Sequence, residues 1–315
     1  MFKASDLHVV ACCSNPMRWK SRMKYMLEFI DHMKESGVTL TVVETQIGER
    51  AFELENVLGI RWIGTRCKTM AWSKESALNV GIKSLPHDAK YVAWVDGDIA
   101  FADRNWAIET IHALQLDPVV QPWSQALDLG PNGEIMEVKG KQVATSFGYI
   151  YRETDRINDW WKDKPAYIYP HSGYAWAARI EFLDDVGLLL DFSGLGAADH
   201  QMSLGMIGAI DRACHGLSSE SYKVQVKAWG DRAYAACKGH LGYVPGRIVH
   251  NFHGPKHLRK YVERWDILNK HGFDPTTDLH RNRYGILELS GNKPELSRDV
   301  VAYFRDRDED STYAG

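Results

Sequence analysis

Three features of this 315-residue chain predict an α/β fold with a mixed, mainly parallel sheet flanked by helices. Strand-like and helix-like segments alternate through the first hundred residues, the pattern of parallel strands joined by crossover helices. The polar residues Ser14, Asn15, Glu44, Asp96 and Asp98 all fall at the carboxyl ends of predicted strands, where open α/β sheets bind ligands. No internal repeat or low-complexity run competes with this pattern.

Leu7 to Cys13 reads as the first strand. Asn15 and Pro16 follow as a helix cap and first helical residue, and Met23, Met26, Leu27, Ile30 and Met33 recur at helical spacing until Gly37. Val38 to Glu44 and Ile60 to Gly64 are the next strands, and Ser73 to Ser84 is a helix with Ala77, Leu78, Val80 and Ile82 to bury. The strand Tyr91 to Val95 then stops on Asp96-Gly97-Asp98. Pro118 to Tyr149 is richer in Gly, Pro and Asn and reads as loops and short antiparallel strands. Order returns from Tyr167 to Gly208, interrupted by Gly194-Leu-Gly-Ala-Ala-Asp199. Lys256 to Lys270 is predicted to be one amphipathic helix, with Leu258, Tyr261, Val262, Trp265 and Leu268 on one face. Arg305 to Ser311 reads as an acidic tail. The expected organisation is one catalytic domain over 1–255, its halves dividing near residue 115, with a helical extension over 256–315 packed on it.

Composition excludes several classes of function. A net charge of -3 gives no global attraction to nucleic acid or anionic lipid, so polyanion binding would need a local patch. Such a patch is present: five Lys/Arg face two Asp/Glu between His250 and Lys270. The five cysteines are odd in number and lack zinc spacing, which points to a reducing compartment. With no signal-peptide pattern and no apolar run near the roughly 20 residues of a membrane span, the expected location is cytoplasmic, or the host cytoplasm if a phage encodes the chain. Dinucleotide-binding, Walker and nucleophile-elbow glycine motifs are absent, which argues against dehydrogenase, NTPase and serine hydrolase chemistry.

The acids at 96 and 98 end a strand of buried type, so something there must neutralise them. A divalent cation of oxygen preference, Mn2+ or Mg2+, holding a diphosphate is the expected partner. Gly97 lets the backbone approach a ligand. Asp98, past the strand end, is the stronger metal ligand, and Asp96 acts through water or on a ribose. An Asp-x-Asp triplet alone also occurs in surface turns, so its context carries the inference. Ser14, Asn15 and Arg18, where a strand meets a helix N-terminus, are candidates for nucleotide contacts, and Glu44 for the base or ribose edge. Structural capping explains each of these equally well.

The stretch Ala71-Trp-Ser-Lys-Glu-Ser-Ala-Leu-Asn-Val-Gly-Ile82, with Tyr91 to Asp98 after it, resembles the GT-A glycosyltransferases. A second block, His171-Ser-Gly-Tyr-Ala-Trp-Ala-Ala followed by Phe182, Val186-Gly187 and Gly194 to Asp199, is similar to the acceptor side of their inverting, galactosyltransferase-like members. The pattern covers roughly residues 8 to 255, and the whole chain also looks like uncharacterised proteins of this kind from phages and bacteria. The resemblance implies a Rossmann-like GT-A sheet and assigns Trp72, Lys74 and Asn79 to the nucleotide-sugar. It implies that Asp199 is the general base, and that His171, Gly173, Tyr174 and His200 line the acceptor side. His253, in His250-Asn-Phe-His253, matches the family's C-terminal metal histidine, with His250 undecided. Ala198 departs from the family's Glu-Asp pair, which leaves the acceptor open. Alternatives remain: Asp199 as a helix N-cap, the histidines as interior groups bonded to backbone, and Lys256 and Arg259 as a solvated helix face.

The expected activity is metal-dependent inverting transfer from a nucleotide-sugar, with UDP as the expected nucleotide. The expected acceptor is a 5-hydroxymethylpyrimidine in phage DNA, approached by Lys256, Arg259 and aromatic residues near Trp123, Trp160 and Trp161. A surface glycan or protein hydroxyl is the alternative acceptor. A non-catalytic sugar-nucleotide or glycan-binding module is the alternative of another class.

Overall fold

Side-chain alternation in the first strand decides the architecture. In β1 (Leu7–Ser14), Leu7, Val9, Ala11 and Cys13 enter one core while Val10 enters another, so the strand is covered on both faces. The computed structural model describes residues 2–137, 142–154, 170–261 and 263–313. Strands β2 (Thr39–Ile47), β3 (Arg61–Cys67) and β4 (Tyr91–Val95) continue the parallel arrangement. After β5 (Ile99–Phe101) come β6 (Val119–Gln121), β7 (Gln125–Asp128), β8 (Val143–Thr145), β9 (Ala175–Arg179), β10 (Leu241–Tyr243) and β11 (Arg247–His250). The main sheet has seven strands in the order β10-β6-β9-β4-β1-β2-β3, and only β9 runs against its neighbours. The fold is therefore the mixed, mainly parallel α/β sheet that the sequence predicts. Strands β2 and β3 run past their expected ends because they zip together as far as Ile47 opposite Cys67.

Helices cover both faces. On one, α1 (Lys20–Glu35) buries Met26, Phe29, Ile30 and Met33 at helical spacing; each such side chain is worth roughly 1.5–3 kcal/mol. The opposite face receives Leu78 and Ile82 of α2 (Lys74–Lys83), while α3 (Trp106–Leu116) joins α1. The helices α4 (Phe147–Glu153), α5 (Ile180–Val186), α6 (Ala198–Met206) and α7 (Glu220–Cys237) complete the α2 side. The first helix begins at Lys20 rather than at Asn15 and Pro16. Asn15 is occupied elsewhere: its amide donates to the Trp19 carbonyl at 2.9 Å and its oxygen accepts the Trp19 N–H at 2.8 Å, which closes a turn before the helix.

The segment from 256 also departs from expectation. Lys256–Arg259 is a single 3-10 turn, Lys260 adopts φ 47, and α8 spans only Arg264–Lys270. Val262 lies outside the described residues. Beyond it, α9 (Pro275–Asp278), the hairpin β12 (Leu279–Arg281) with β13 (Leu287–Leu289), and α10 (Pro294–Arg305) follow. Leu287, Leu289, Leu296, Val300 and Tyr303 share a core cluster with Val10 and Trp94 of the main sheet. Among the described residues no helix is long and apolar enough to cross a membrane.

The acidic tail is corrected as well, because it is folded into the protein. Asp310 accepts hydrogen bonds from the backbone N–H groups of Lys20 (2.9 Å) and Ser21 (2.7 Å), capping α1 from the far end of the chain. Glu309 is buried and takes a forked contact from Arg22 and a 2.8 Å contact from Arg307. Burial alone would raise its carboxyl; Arg22 and Arg307 outweigh that and hold it at about 2. Glu309→Gln leaves both guanidiniums without their counter-charge and is expected to cost about 3–5 kcal/mol in urea unfolding. A loss too small to measure would show that this pair contributes nothing net.

Candidate functional site

Two sheets meet at the carboxyl end of β4. The second sheet runs β5-β11-β7-β8, and its register sets His250 opposite both Ile99 and Asp128. Because Ile99 directly follows Asp98, this pairing carries His250 to the acid at the end of β4. The Asn251 N–H donates to the Asp98 carbonyl at 2.8 Å and fixes the alignment.

Asp98, His250 and His253 form the group among the described residues whose donor atoms converge as metal ligands do, all within 4.8 Å. His253 Nε2 lies 2.9 Å from Asp98 Oδ2 and 3.2 Å from His250 Nε2. His250 Nδ1 meets Asp128 Oδ1 at 2.6 Å, and Tyr174 donates to the same oxygen at 3.0 Å. Asp128 thereby holds the proton on Nδ1 and leaves the Nε2 lone pair facing Asp98, as metal-binding histidines require. Burial and neighbouring Arg259 lower His253 to about 4, which keeps that ring neutral near pH 7. Burial would raise Asp98, but His253, His250 and Arg259 hold it well below the usual carboxylate range. Its Oδ1 is buried with no hydrogen-bond partner. An ionised carboxylate with a spare oxygen and two imidazoles suits Mn2+ better than Mg2+.

Asp96 does not join this group. It pairs with Lys74 from α2, whose cation is favoured by Asp96, Glu75 and Asp199 against the cost of burial. The second carboxylate of interest, Asp199, lies in the first turn of α6, where its Oδ1 accepts the His200 N–H at 2.9 Å. It does not cap that helix, since Ala197, at φ 75, holds the cap position. Gly173 faces it so closely that a Cβ there would stand 3.0 Å from Asp199 Oδ2. Tyr174, next in the chain, has φ 75, an uncommon conformation for a bulky residue. It is kept there by its bond to Asp128, by stacking on His171 (centroids 4.1 Å apart) and by Trp123.

The other candidates divide. Ser14 and Gly97 line a cavity with Asp98, Arg22, His253 and Glu309. Trp72 stacks on Phe304 with Arg307 over its ring, and its buried N–H has no partner. Arg18 is exposed with φ 60. Glu44 is saturated by the chain itself, accepting from Gln46, the N–H groups of Glu53 and Leu54, and Trp62. Asn79 bonds Leu189 and Asp191, not the loop of the metal acids. Trp123 is fully buried and supports His171 and Tyr174 from behind; Trp160 and Trp161 lie outside the described residues. His200 is half-buried, and burial lowers its pKa. Lys256 pairs with Asp128 and Arg259 is buried, so neither belongs to a solvated helix face.

Sequence reasoning missed Asp128, Glu309 and Glu75. Asp128 ends a short strand whose neighbours only the sheet register reveals, and Glu309 lay in the apparent tail. Glu75 was in plain view in the helix after Trp72, with no local signal beyond being an acid on the buried stretch Glu75–Asn79.

No protein-family model matches the chain, and no curated protein matches it by sequence. Solved structures do. Staphylococcus aureus TarS 1-349 in complex with UDP-GlcNAc is 11% identical, with 85% of this chain and 71% of that one covered and a TM-score of 0.45. A longer TarS chain is covered over 42% of its length. The glucosyl-3-phosphoglycerate synthase of Mycobacterium tuberculosis, in complex with Mn2+ and UDP-glucose, is 12% identical over 90% of this chain and 81% of that one, TM-score 0.37. The catalytic domain of a Drosophila beta1,4galactosyltransferase 7 is 14% identical over 76% and 64%, TM-score 0.33. These neighbours are glycosyltransferases; likeness at this level assigns no activity to the chain.

Proposed function

We propose that this protein is a metal-dependent, inverting glycosyltransferase that moves a sugar from a nucleotide-sugar, with UDP as the expected nucleotide, to an acceptor hydroxyl. The observation that carries this reading is the convergence of Asp98, His250 and His253 at the end of β4, beside a cleft that holds Asp199. Asp98, His250 and His253 would hold the ion, which supplies Lewis-acid screening of the leaving diphosphate when bound. Asp199 takes the proton of the acceptor hydroxyl as that oxygen bonds to the anomeric carbon. The bond from that carbon to the diphosphate breaks on the opposite side, and the nucleoside diphosphate leaves with the electron pair. General-base assistance of this kind contributes about 10²–10⁴-fold in rate.

The acceptor favoured on structural grounds is a glycan or protein hydroxyl. The 5-hydroxymethylpyrimidine reading rests on the phage-like resemblance, on the basic segment after His253 and on aromatic residues near Trp123, Trp160 and Trp161, of which only Trp123 is described. Lys256 is instead paired with Asp128, Lys260 lies 3.7 Å from Asp306, and both Arg259 and Trp123 are buried. A basic surface for phosphate contacts is thereby reduced.

The test is release of nucleoside diphosphate by the full chain from a panel of sugar nucleotides, with Mn2+, with Mg2+ and with EDTA. Mn2+-dependent release from one class of donor is expected. Binding without turnover under every condition would favour the non-catalytic module, and absence of both would overturn the reading.

A further inference from the structure

Glu75 is a buried acid that the mechanism above leaves without a role. It sits in the first turn of α2 and is only 4% exposed, yet its Oε2 has no hydrogen-bond partner. Leaving such an oxygen dry and unpaired is costly, so a native fold keeps one where something else completes it. The cleft it lines also contains Asp199, Lys74, Asp96, Gly173 and Met202. Lys74, the nearest cation, is already committed to Asp96. Burial lifts the Glu75 carboxyl to about 7 in spite of Lys74, so it is available both as a donor and as an acceptor near neutrality. A purely helical role, an acid near the positive end of α2, accounts for the oxygen that meets its own backbone N–H and not for Oε2. Beside Asp199, Ala198 offers no hydrogen-bonding side chain, so Glu75 is the second acid lining this cleft that is not ion-paired with Lys74, which bonds Asp96 instead.

We propose that Glu75 is a further catalytic residue, whose Oε2 bonds a second acceptor hydroxyl next to the one that Asp199 deprotonates. This rests on the transferase reading and narrows it: the acceptor is a carbohydrate or other polyol with neighbouring hydroxyls, not an isolated hydroxymethyl group. Two carboxyl groups in one cleft match a vicinal diol, which offers two donors a short distance apart. A lone hydroxyl would leave Glu75 unpaired in the complex, which disfavours it.

The experiment uses the full chain with Mn2+ and the donor found by the panel above. Acceptors are methyl glycosides that carry a vicinal diol, their monodeoxy analogues, and duplex DNA containing 5-hydroxymethylcytosine. Glu75→Met keeps the volume and removes the polar oxygens; Glu75→Gln keeps an acceptor. Expected is a loss of about 10–100-fold in kcat/KM for the diol with Glu75→Met and partial rescue by Glu75→Gln. The monodeoxy analogue should be poor with the parent protein and indifferent to Glu75→Met. Mn2+ affinity should not change, since Glu75 stands outside the Asp98, His250 and His253 group. Equal losses on diol and monodeoxy acceptors, no loss at all, or efficient transfer to the hydroxymethylated DNA would each overturn the proposal while leaving the transferase reading intact. Absence of donor turnover in the parent protein overturns both.

Discussion

Asp98→Asn is expected to remove Mn2+ binding from the donor-free protein and to cut turnover about 10³-fold, with the fold retained. The carboxylate is the only anionic member of the Asp98, His250 and His253 group, and its Oδ1 is the buried atom there without a partner. Replacing it by an amide keeps the shape and removes the charge that would hold a divalent ion beside the two imidazoles. Screening of a leaving diphosphate by a metal is worth several kcal/mol, and roughly 4 kcal/mol corresponds to a thousandfold in rate. Calorimetric titration with Mn2+ separates the metal effect from the kinetic one, and urea unfolding separates both from folding. Asp96→Asn is the internal comparison. Since Asp96 is paired with Lys74 and stands outside the metal group, that variant should retain its Mn2+ affinity. An Asp98→Asn protein that binds Mn2+ as tightly as the parent would overturn the metal assignment.

How much of this was legible in the sequence depends on the reach of each interaction. The parallel strands and the acids at the end of β4 were readable because alternation, helical spacing and a charged strand end are local signals. His253 is paired with Asp98 by the family resemblance and not by any local signal, and the two stand 2.9 Å apart. His250 could not be assigned, because its place depends on β11 pairing with β5 and with β7, which are more than a hundred residues away in sequence. Glu309 meets Arg22 across 287 residues, so an acidic run that looks like a solvated tail is a buried anchor. The helix expected over 256–270 fails for a related reason. Its apolar spacing is real, but Tyr303 donates to the Arg259 carbonyl and Arg259 is drawn inward, so the chain turns at Lys260 instead of continuing. Gly254 shows the same dependence on distant chain. At φ 90 it lets the backbone of Arg307 and Asp308 pass 2.8 Å from where a Cβ would be, a constraint that nothing around His253 announces.

Asp199→Asn is expected to lower transfer to the acceptor by about 10²–10⁴-fold while leaving Mn2+ and donor affinity unchanged. The substitution is diagnostic because the two roles open to this residue respond to it differently. As a helix-capping group, asparagine serves as well as aspartate, so a capping role predicts an active variant. As a base, the amide cannot take a proton at all, so the oxygen that bonds to the anomeric carbon keeps its proton and the reaction stalls. The position in α6 favours the second role, since Ala197 is at the cap and Asp199 is the second residue of the helix. Asp199 also favours the Lys74 cation, so urea unfolding is read beside the kinetics. A rate loss of 10² or more corresponds to at least about 2.7 kcal/mol of barrier, and an unchanged unfolding midpoint assigns that loss to catalysis. Steady-state transfer assays with saturating donor, read beside equilibrium donor binding, make the distinction. Full activity in Asp199→Asn would move the base elsewhere in the cleft and leave Glu75, the other acid there without a cation committed to it, as the next group to test.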